Sequence, residues 1–366
     1  MKKIILLITI TTIFSCTNPN ESGQSIEDKN DREAMLIHIT DNIILPSHEN
    51  LLISLNDLKI SLDVFISDVS EQNISNLRKK WKNAYSAWQY VELYNIGKAE
   101  EISYNKRSNT YPVNTTILNS NIQSQNYDLT LDNFSSYSSQ GFPAIDYMLY
   151  GLDVDTNNII NYYNVSNSLH LIYLEDLVHE LINNTNEVLN YWNSEKNSFV
   201  SKNGNTATSS LNLLTNDFIY YYEKGFRANK IGIPSGVYSN TPLPQNVEAR
   251  YCQYYSKNLA HHGLNSARKF FIGESFDGSV LGKSLQWYLL KLDPTNQILI
   301  DEINQKFENS ENMISQLDPN FANQIINNNI KMLQTFDAIQ EAVPLFKIDM
   351  LALININIDY VDADGD

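Results

Sequence analysis

The sequence predicts an all-α protein built from two helical bundles. Apolar residues recur at three-to-four-residue spacing through most of the 366-residue chain, the pattern of amphipathic helices. Prolines fall at the ends of the periodic segments, where helices start or stop. One long stretch, 97–140, lacks the period. We therefore expect an N-terminal bundle at 31–155 that contains an irregular insertion, and a C-terminal bundle at 156–366.

The first three helices are predicted at 31–45, 48–69 and 73–96. Pro46 separates the first two, because a proline inside a helix removes a backbone hydrogen bond. The third segment has the clearest apolar stripe, and lysines lie off that stripe. The stripe consists of Ile74, Leu77, Trp81, Ala84, Trp88 and Val91.

The stretch 97–140 is rich in Ser, Asn, Tyr and Gln, and we expect long loops there with short strands or turns. A loop of this length is usually functional or packed over another element. After residue 151 the helical period returns. The predicted helices are 166–192, 209–229, 244–272, 279–291, 294–317, 319–341 and a final segment from about 344.

The N-terminus has the features of a bacterial lipoprotein signal peptide at 1–15. Two lysines precede an apolar run too short to span a bilayer, which needs about 20 residues. A small residue and then Cys16 follow, so we expect Cys16 to become the lipidated first residue of the mature chain. The alternative is an ordinary signal peptide with an incidental cysteine. Residues 16–30 are polar and predict a flexible tether.

Composition narrows the classes of function. The net charge of −16 argues against nucleic acid as a partner and against electrostatic binding to anionic membranes. Cationic partners or metal ions remain compatible with it. The chain has two cysteines, so acylation of Cys16 leaves only Cys252 and excludes an intramolecular disulfide.

The segment 141–151, GFPAIDYMLYG, predicts a short helix with its own start and stop residues. Pro143 suits the first turn, where its missing N–H costs nothing, and Gly151 suits the position past the end. Asp146 lies toward the N-terminal end, where the helix dipole favours negative charge. A capped helix that buttresses two bundles would explain most of these features without any chemistry.

A second carboxylate falls on the face of the predicted 73–96 helix. Trp81, Tyr85, Trp88 and Glu92 lie close to one helical face, so Glu92 stands in line with two tryptophans. Such a carboxylate needs a partner, or burial raises its pKa. The alternative is a glutamate at a frayed helix end that reaches water. We formulate the hypothesis that Glu92 and Asp146 converge at one pocket.

The segment 141–151 resembles the Gly-x-His-x-x-Glu signature of the imelysin-like proteins, peptidase family M75. Gly141 and Gly151 match that family, Asp146 is a conservative change, and Pro143 stands where the family has histidine. In the family the His and Glu share a helix face and could hold a metal ion or a proton. This chain keeps half of that constellation at best.

Three further segments extend the resemblance over about residues 30–366. The aromatic-then-Glu helix W-x-x-A-Y-x-x-W-x-x-x-E resembles one in the N-terminal domain of the family. KGFRANKIGIPSGVYSNTPLP with Val247-Glu248 after it, and the tail ALININIDYVDADGD, resemble segments of imelysin-like lipoproteins. The resemblance implies a role linked to iron or haem acquisition, beside an outer-membrane receptor. Iron, another divalent metal or haem are the cofactors that it allows, and none is certain.

Other metal and nucleophile motifs are weak in this sequence. His179-Glu180 begins an HExxH-like run, but the fifth position is Asn183. Adjacent His261 and His262 diverge by about 100° on a helix. The acidic C-terminal tail lacks the spacing of an EF-hand and is expected to be solvated.

Our interpretation is a lipid-anchored protein of the outer membrane or its periplasmic face that binds a ligand and does not cleave it. The candidate site lies between the bundles, where Asp146 and Glu92 supply negative charge and Trp88 and Tyr85 form apolar walls. The rivals are a metallopeptidase, whose histidine ligand is lost at Pro143, and a structural adaptor for an outer-membrane receptor.

Overall fold

The computed structural model describes residues 26–358, and these form helices joined by loops and turns. An isolated bridge between Glu274 and Leu281 is the β-type pairing found among them. The all-α prediction is confirmed. The predicted signal peptide with Cys16, most of the tether and the acidic tail beyond residue 358 lie outside the described residues. The α-helices are α1 Ile26–Ile39, α2 Leu45–Ser67, α3 Glu71–Trp88, α4 Lys98–Glu101, α5 Tyr104–Asn109, α6 Thr115–Ser124, α7 Phe134–Tyr137, α8 Gly141–Asp146, α9 Thr156–Tyr163, α10 Leu169–Ser201, α11 Ser210–Tyr220, α12 Ile233–Ser235, α13 Ser256–Ile272, α14 Leu285–Leu292, α15 Gln297–Ser315, α16 Phe321–Gln340 and α17 Leu351–Ile354.

Wider, π-helical turns join several of these helices without a break. They span Thr40–Ile44, Tyr147–Gly151, Tyr221–Gly232 and Leu345–Met350. The first of them corrects the predicted boundary at Pro46. Chain direction is kept from α1 to α2, because the residues flanking the π turn have right-handed helical dihedrals and Pro46 occupies the first turn of α2.

The predicted loop region 97–140 instead contains four short helices, α4 to α7. Polar residues cap two of them: Asn114 accepts the N–H of Ile117 and Asn133 accepts the N–H of Ser136. The asparagines and serines that suggested loops are therefore helix starts. These helices are too short to show an apolar period, which explains why pattern alone missed them.

The hydrophobic core runs continuously from Met35 to Ile356. The long helix α10 packs along α2 and also contacts α8, although it follows the predicted domain boundary near residue 155. The helix α1 likewise contacts α14. The division into two bundles at that residue stays a prediction. Within 26–358, the helices are all too short or too polar to cross a bilayer.

Candidate functional site

A cavity of about 490 Å³ opens where the turn after α3, the α5 region and the π-helical segment Tyr221–Gly232 meet. Most of the residues that line it are of polar types, with asparagines, tyrosines and charges of both signs. The polar lining includes Glu92, Glu100, Asn105, Lys106, Asn109, Tyr111, Asp217, Tyr221, Lys224 and Asn246. A concave site with convergent polar groups is where a small ligand is expected to bind.

A buried ion cluster of two carboxylates and one ammonium lies against this cavity, and Glu92 is its member in the cavity lining. Lys230 Nζ lies 2.9 Å from Glu248 Oε2 and 3.3 Å from Glu92 Oε2. The Lys230 side chain is 1% exposed, and the Glu92 and Glu248 side chains are 11% and 3% exposed. Asn109 Nδ2 donates to Glu92 Oε1 at 3.0 Å and to Glu248 Oε1 at 2.8 Å. The amide therefore ties the two carboxylates together.

Neighbouring polar groups complete the cluster. Gln89 Nε2 donates to Glu248 Oε1 at 3.1 Å, and the Tyr85 hydroxyl donates to Asn109 Oδ1 at 2.6 Å. Burial, with the charges of Glu248 and Glu92 behind it, raises the pKa of Tyr85 well above its usual value. Tyr85 thus stays protonated and orients Asn109, and a buried network of this kind specifies one arrangement when its members are satisfied.

The cluster forms because the local backbone delivers each side chain to one point. Glu92 lies in the turn after α3, and its backbone N–H donates to the carbonyl oxygen of Trp88 at 3.0 Å. Lys230 comes from the π-helical segment, and Glu248 follows the turn Pro244–Asn246. Gly263 on α13 leaves the necessary space, since a Cβ there would lie 3.3 Å from Lys230 Cε and 2.8 Å from Tyr221 Oη.

The predicted face of α3 is largely correct, with one change. The helix ends at Trp88 and not at residue 96, so Glu92 sits in the following turn. Trp88 and Tyr85 are fully buried, and Phe142 packs against both rings, stacking on Tyr85 with centroids 4.6 Å apart. Glu92 does not lie at a frayed, solvated helix end, because it is largely buried against Lys230 and keeps 11% of its side chain exposed.

Asp146 has a different set of partners. Its Oδ2 accepts the N–H of Tyr251 and its Oδ1 accepts the N–H of Cys252, each at 2.8 Å. In the described part of the chain Asp146 and Glu92 share no hydrogen-bond partner, and Asp146 is not among the residues lining the cavity. Its carboxylate holds the loop after Glu248 against α8, so it supports the cluster from behind.

Gly141 and Gly151 serve close packing. Gly141 has φ of +76°, and a Cβ there would overlap the carbonyl oxygens of Arg107 and Ser108. Gly151 was expected in a left-handed conformation past a helix end. It lies instead inside the π turn, where the Tyr251 ring leaves no room for a side chain.

Pro143 is buried in the first turn of α8, as expected for a proline that lacks an N–H. Across residues 26–358 no three His, Cys, Asp or Glu side chains are grouped to hold a metal ion. The donor set that the Gly-x-His-x-x-Glu signature would supply therefore does not fit a metal in this chain. The position nearest to a cation site, between Glu92 and Glu248, is taken by the Lys230 ammonium.

Asp146 yields a stability prediction. Replacement by asparagine leaves one of the two N–H groups facing an amide nitrogen, and should cost about 1–3 kcal/mol at pH 5. Burial raises the pKa of Asp146 from 3.8 to about 7, although the N–H groups of Tyr251 and Cys252 lower it. The folded state thus binds the proton more tightly, so wild-type stability rises relative to Asp146→Asn as pH falls from about 7 toward 4.

Urea unfolding of both proteins between pH 5 and pH 8 measures this difference. Asp63→Asn, on an exposed side chain of α2, is the matched control and should show no such pH dependence. An Asp146→Asn cost that is the same at pH 5 and pH 8 would contradict the assignment.

The fold and the site together define an all-helical protein with a polar cavity over a buried ion cluster. The family model for imelysin, Peptidase_M75, matches residues 44–343, and the chain belongs to the imelysin family. An imelysin-like protein from Psychrobacter arcticum 273-4 has a similar crystal structure. Its TM-score is 0.71 at 16% identity, over 91% of this chain and 98% of that one.

A putative iron-regulated protein A precursor from Parabacteroides distasonis ATCC 8503 is also similar. Its TM-score is 0.70 at 14% identity, over 91% of this chain and 97% of that one. At these identities the two structures support the shared fold alone. A search of functionally curated proteins gives no match.

Proposed function

We propose that this protein binds a small ligand in the cavity above the Glu92–Lys230–Glu248 cluster, at the cell envelope, as a component of iron acquisition. The observation that carries the proposal is a cavity of about 490 Å³ that is lined by Glu92, one member of an almost fully buried ion cluster. Ionisable groups desolvated in a cleft mark functional sites more often than ordinary surface. The iron link is supported by family membership and by the relative from Parabacteroides distasonis described as iron-regulated.

The side chains favour binding over peptide hydrolysis. A metallopeptidase needs protein ligands that leave one position open for water. Pro143 supplies no ligand, and Asp146 is engaged by two backbone N–H groups. Chelator-sensitive cleavage of a peptide library, abolished by Asp146→Ala, would overturn this interpretation.

The tyrosines of the cavity also favour a whole chelate over a bare iron ion. A tyrosine holds iron as a phenolate. Burial raises the pKa of Tyr111 and Tyr221 well above the usual value, and the charges of Glu92 and Glu248 raise both further. The two phenols therefore remain hydrogen-bond donors. Iron would enter this cavity as cargo inside an organic chelate or a haem.

Filling the cavity tests the proposal. Asn246 lines the cavity and Gln245 beside it is exposed, so Asn246→Trp and Gln245→Trp form a matched pair. Titration calorimetry with haemin, ferric citrate and ferrioxamine B is the measurement. We expect binding of at least one probe, weakened about tenfold or more by Asn246→Trp, a loss of about 1.4 kcal/mol, and unchanged by Gln245→Trp.

Two results would contradict the proposed function. Equal affinity in both tryptophan variants would place the ligand elsewhere. Absence of binding and of any shift in melting temperature, together with a co-purifying outer-membrane receptor, would favour the adaptor role, because a ligand at one hundred times its Kd stabilises by about 2.7 kcal/mol.

Envelope attachment rests on Cys16, which is outside the described residues. Replacement of Cys16 with alanine removes the acyl acceptor, and each buried CH₂ contributes about 0.8 kcal/mol of membrane binding. We expect the wild-type protein in the detergent-extracted membrane fraction and Cys16→Ala in the soluble periplasmic fraction. Cys252→Ala is the control and should stay with the membrane. Membrane retention of Cys16→Ala would exclude the lipid anchor.

A further inference from the structure

The two carboxylates of the cluster are not equally satisfied. Glu248 Oε1 accepts from Gln89, Asn109 and Lys230, and its Oε2 accepts from Lys230 at 2.9 Å. Glu92 accepts one bond from Asn109 at 3.0 Å and a longer one from Lys230 at 3.3 Å. A carboxylate has about four acceptor positions. Glu248 therefore accepts four hydrogen bonds and Glu92 two, so Glu92 keeps the larger unused acceptor capacity.

The same asymmetry appears in position and charge. Glu92 lines the cavity, whereas Glu248 lies behind it. The cluster holds two carboxylates and one ammonium, so its ionised form has a net charge of one negative unit. We assign that charge to Glu92, the carboxylate that faces the cavity. Burial raises the pKa of Glu92, Lys230 lowers it and Glu248 raises it, with a net upward shift. A cationic group from a ligand would hold Glu92 in its charged form.

Among the described residues, three others that line the cavity carry buried polar atoms without a partner. Tyr221 lines the cavity with 3% of its side chain exposed, and its hydroxyl has no hydrogen-bond partner within residues 26–358. The buried hydroxyl of Tyr111 on the same cavity is likewise unpartnered in that range, as is the carbonyl oxygen of Asn105. Buried polar groups are normally paired, so these atoms point to a ligand that pairs with them.

Building on the proposed function, we propose that the ligand carries an organic ammonium group that binds Glu92 and the Asn105 carbonyl oxygen. Oxygen acceptors beside that group receive the hydroxyls of Tyr111 and Tyr221. The ligand class is a small amino-hydroxy compound, such as an amino sugar or a chelate with a pendant amine.

The other charged residues that line the cavity are consistent with a ligand that brings one positive charge. Glu100 and Asp217 line it on the acidic side, and Lys106 and Lys224 on the basic side, so these four balance. The excess charge is that of the Glu92–Lys230–Glu248 cluster. A divalent metal ion is a poorer fit, because Lys230 already occupies the position between the two carboxylates.

Two matched probe pairs test the ligand class at pH 6.5. Glucosamine and glucose differ by one ammonium in place of one hydroxyl. Ferrioxamine B and its N-acetylated form differ by one ammonium on the same iron chelate. We expect calorimetry to show tighter binding of the charged member of at least one pair, by about tenfold or more.

Variants then assign the preference to Glu92. Glu92→Gln should remove the preference for the charged member, and Glu92→Asp should retain part of it. Glu101→Gln should leave it unchanged, because the Glu101 side chain is exposed and outside the cavity lining. Tyr221→Phe should weaken both members of a pair equally, because it removes a donor to oxygen. Melting temperatures of all four variants check that each is folded.

The outcomes separate this inference from the proposed function. Equal binding of charged and neutral members, or no binding by either charged probe, overturns the ammonium assignment. A chelate that binds regardless of its acetylation supports iron acquisition and refutes ammonium recognition by Glu92. Glucosamine binding without any chelate binding supports the ammonium site and refutes the iron link.

Discussion

Replacement of Lys230 with methionine should lower the free energy of unfolding by about 3–5 kcal/mol at pH 8. The variant leaves Glu92 and Glu248 buried without their cation, and removal of one partner of a buried ion pair is costly for this reason. Burial lowers the pKa of Lys230, but Glu248 and Glu92 raise it more, so the wild-type lysine is charged. Urea unfolding measures the loss.

The pH dependence of Lys230→Met identifies its cause. Burial raises the pKa of Glu92 and Lys230 lowers it, so without the ammonium the folded variant binds a proton at Glu92 that the unfolded chain does not. Its stability should therefore recover as pH falls from 8 to 5. A second change, Glu248→Gln, should restore part of the stability at pH 8. A loss in Lys230→Met that is independent of pH would indicate a packing defect instead.

Lys291→Met is the matched control. Lys291 also lies near two carboxylates, Glu27 and Asp31, but its side chain is 43% exposed. Exposed ion pairs contribute about 0–1 kcal/mol, because water screens them. Because both lysines pair with two carboxylates and only Lys230 is buried, the difference between the two losses of unfolding free energy measures the effect of burial.

Replacement of Gly141 with alanine should destabilise the protein by about 2–5 kcal/mol. A positive φ costs a residue with a Cβ roughly 1–2 kcal/mol, and over-packing adds about 1–3 kcal/mol. Gly141 has φ of +76°, and its Cβ would stand 2.5 Å from the carbonyl oxygen of Arg107. That oxygen belongs to the backbone and cannot rotate away, so α8 would have to shift from α5.

Gly204→Ala is the control for Gly141→Ala. A Cβ at Gly204 meets no atom within 4 Å, so the substitution should change the unfolding free energy by less than about 0.5 kcal/mol. Thermal and urea unfolding of both variants provide the comparison. A Gly141→Ala protein as stable as wild type would show that this glycine is not a packing requirement.

The sequence predicted what depends on local pattern and on family. The helical period identified most long helices, and the segment 141–151 identified the imelysin family and a helix that begins near Pro143. Trp81, Trp88 and Tyr85 are buried, as a 3.6-residue stripe of aromatic side chains predicts, but Trp88 and Tyr85 are not among the residues that line the cavity. Short helices in 97–140 were missed, since one or two turns carry no period.

The candidate site was predicted only in part. Glu92 was singled out because it stands in line with buried aromatics, and it does line the cavity. Lys230 and Glu248 lie in segments whose family resemblance was noted, but neither was assigned a role. The sequence signal for Lys230 and Glu248 was that each is a charged residue in a segment with apolar neighbours and nearby prolines. It does not say which charge pairs with which.

The sequence by itself therefore determined the family, the helical class and most of the long helices. Tertiary structure alone decided that Glu92, Asn109, Lys230 and Glu248 meet, and that Asp146 accepts the backbone N–H groups of Tyr251 and Cys252. The physical reason is that helix formation follows from residues three or four apart. The buried network around the ion cluster joins side chains up to 159 residues apart, Gln89 and Glu248, and depends on the packing of the whole core.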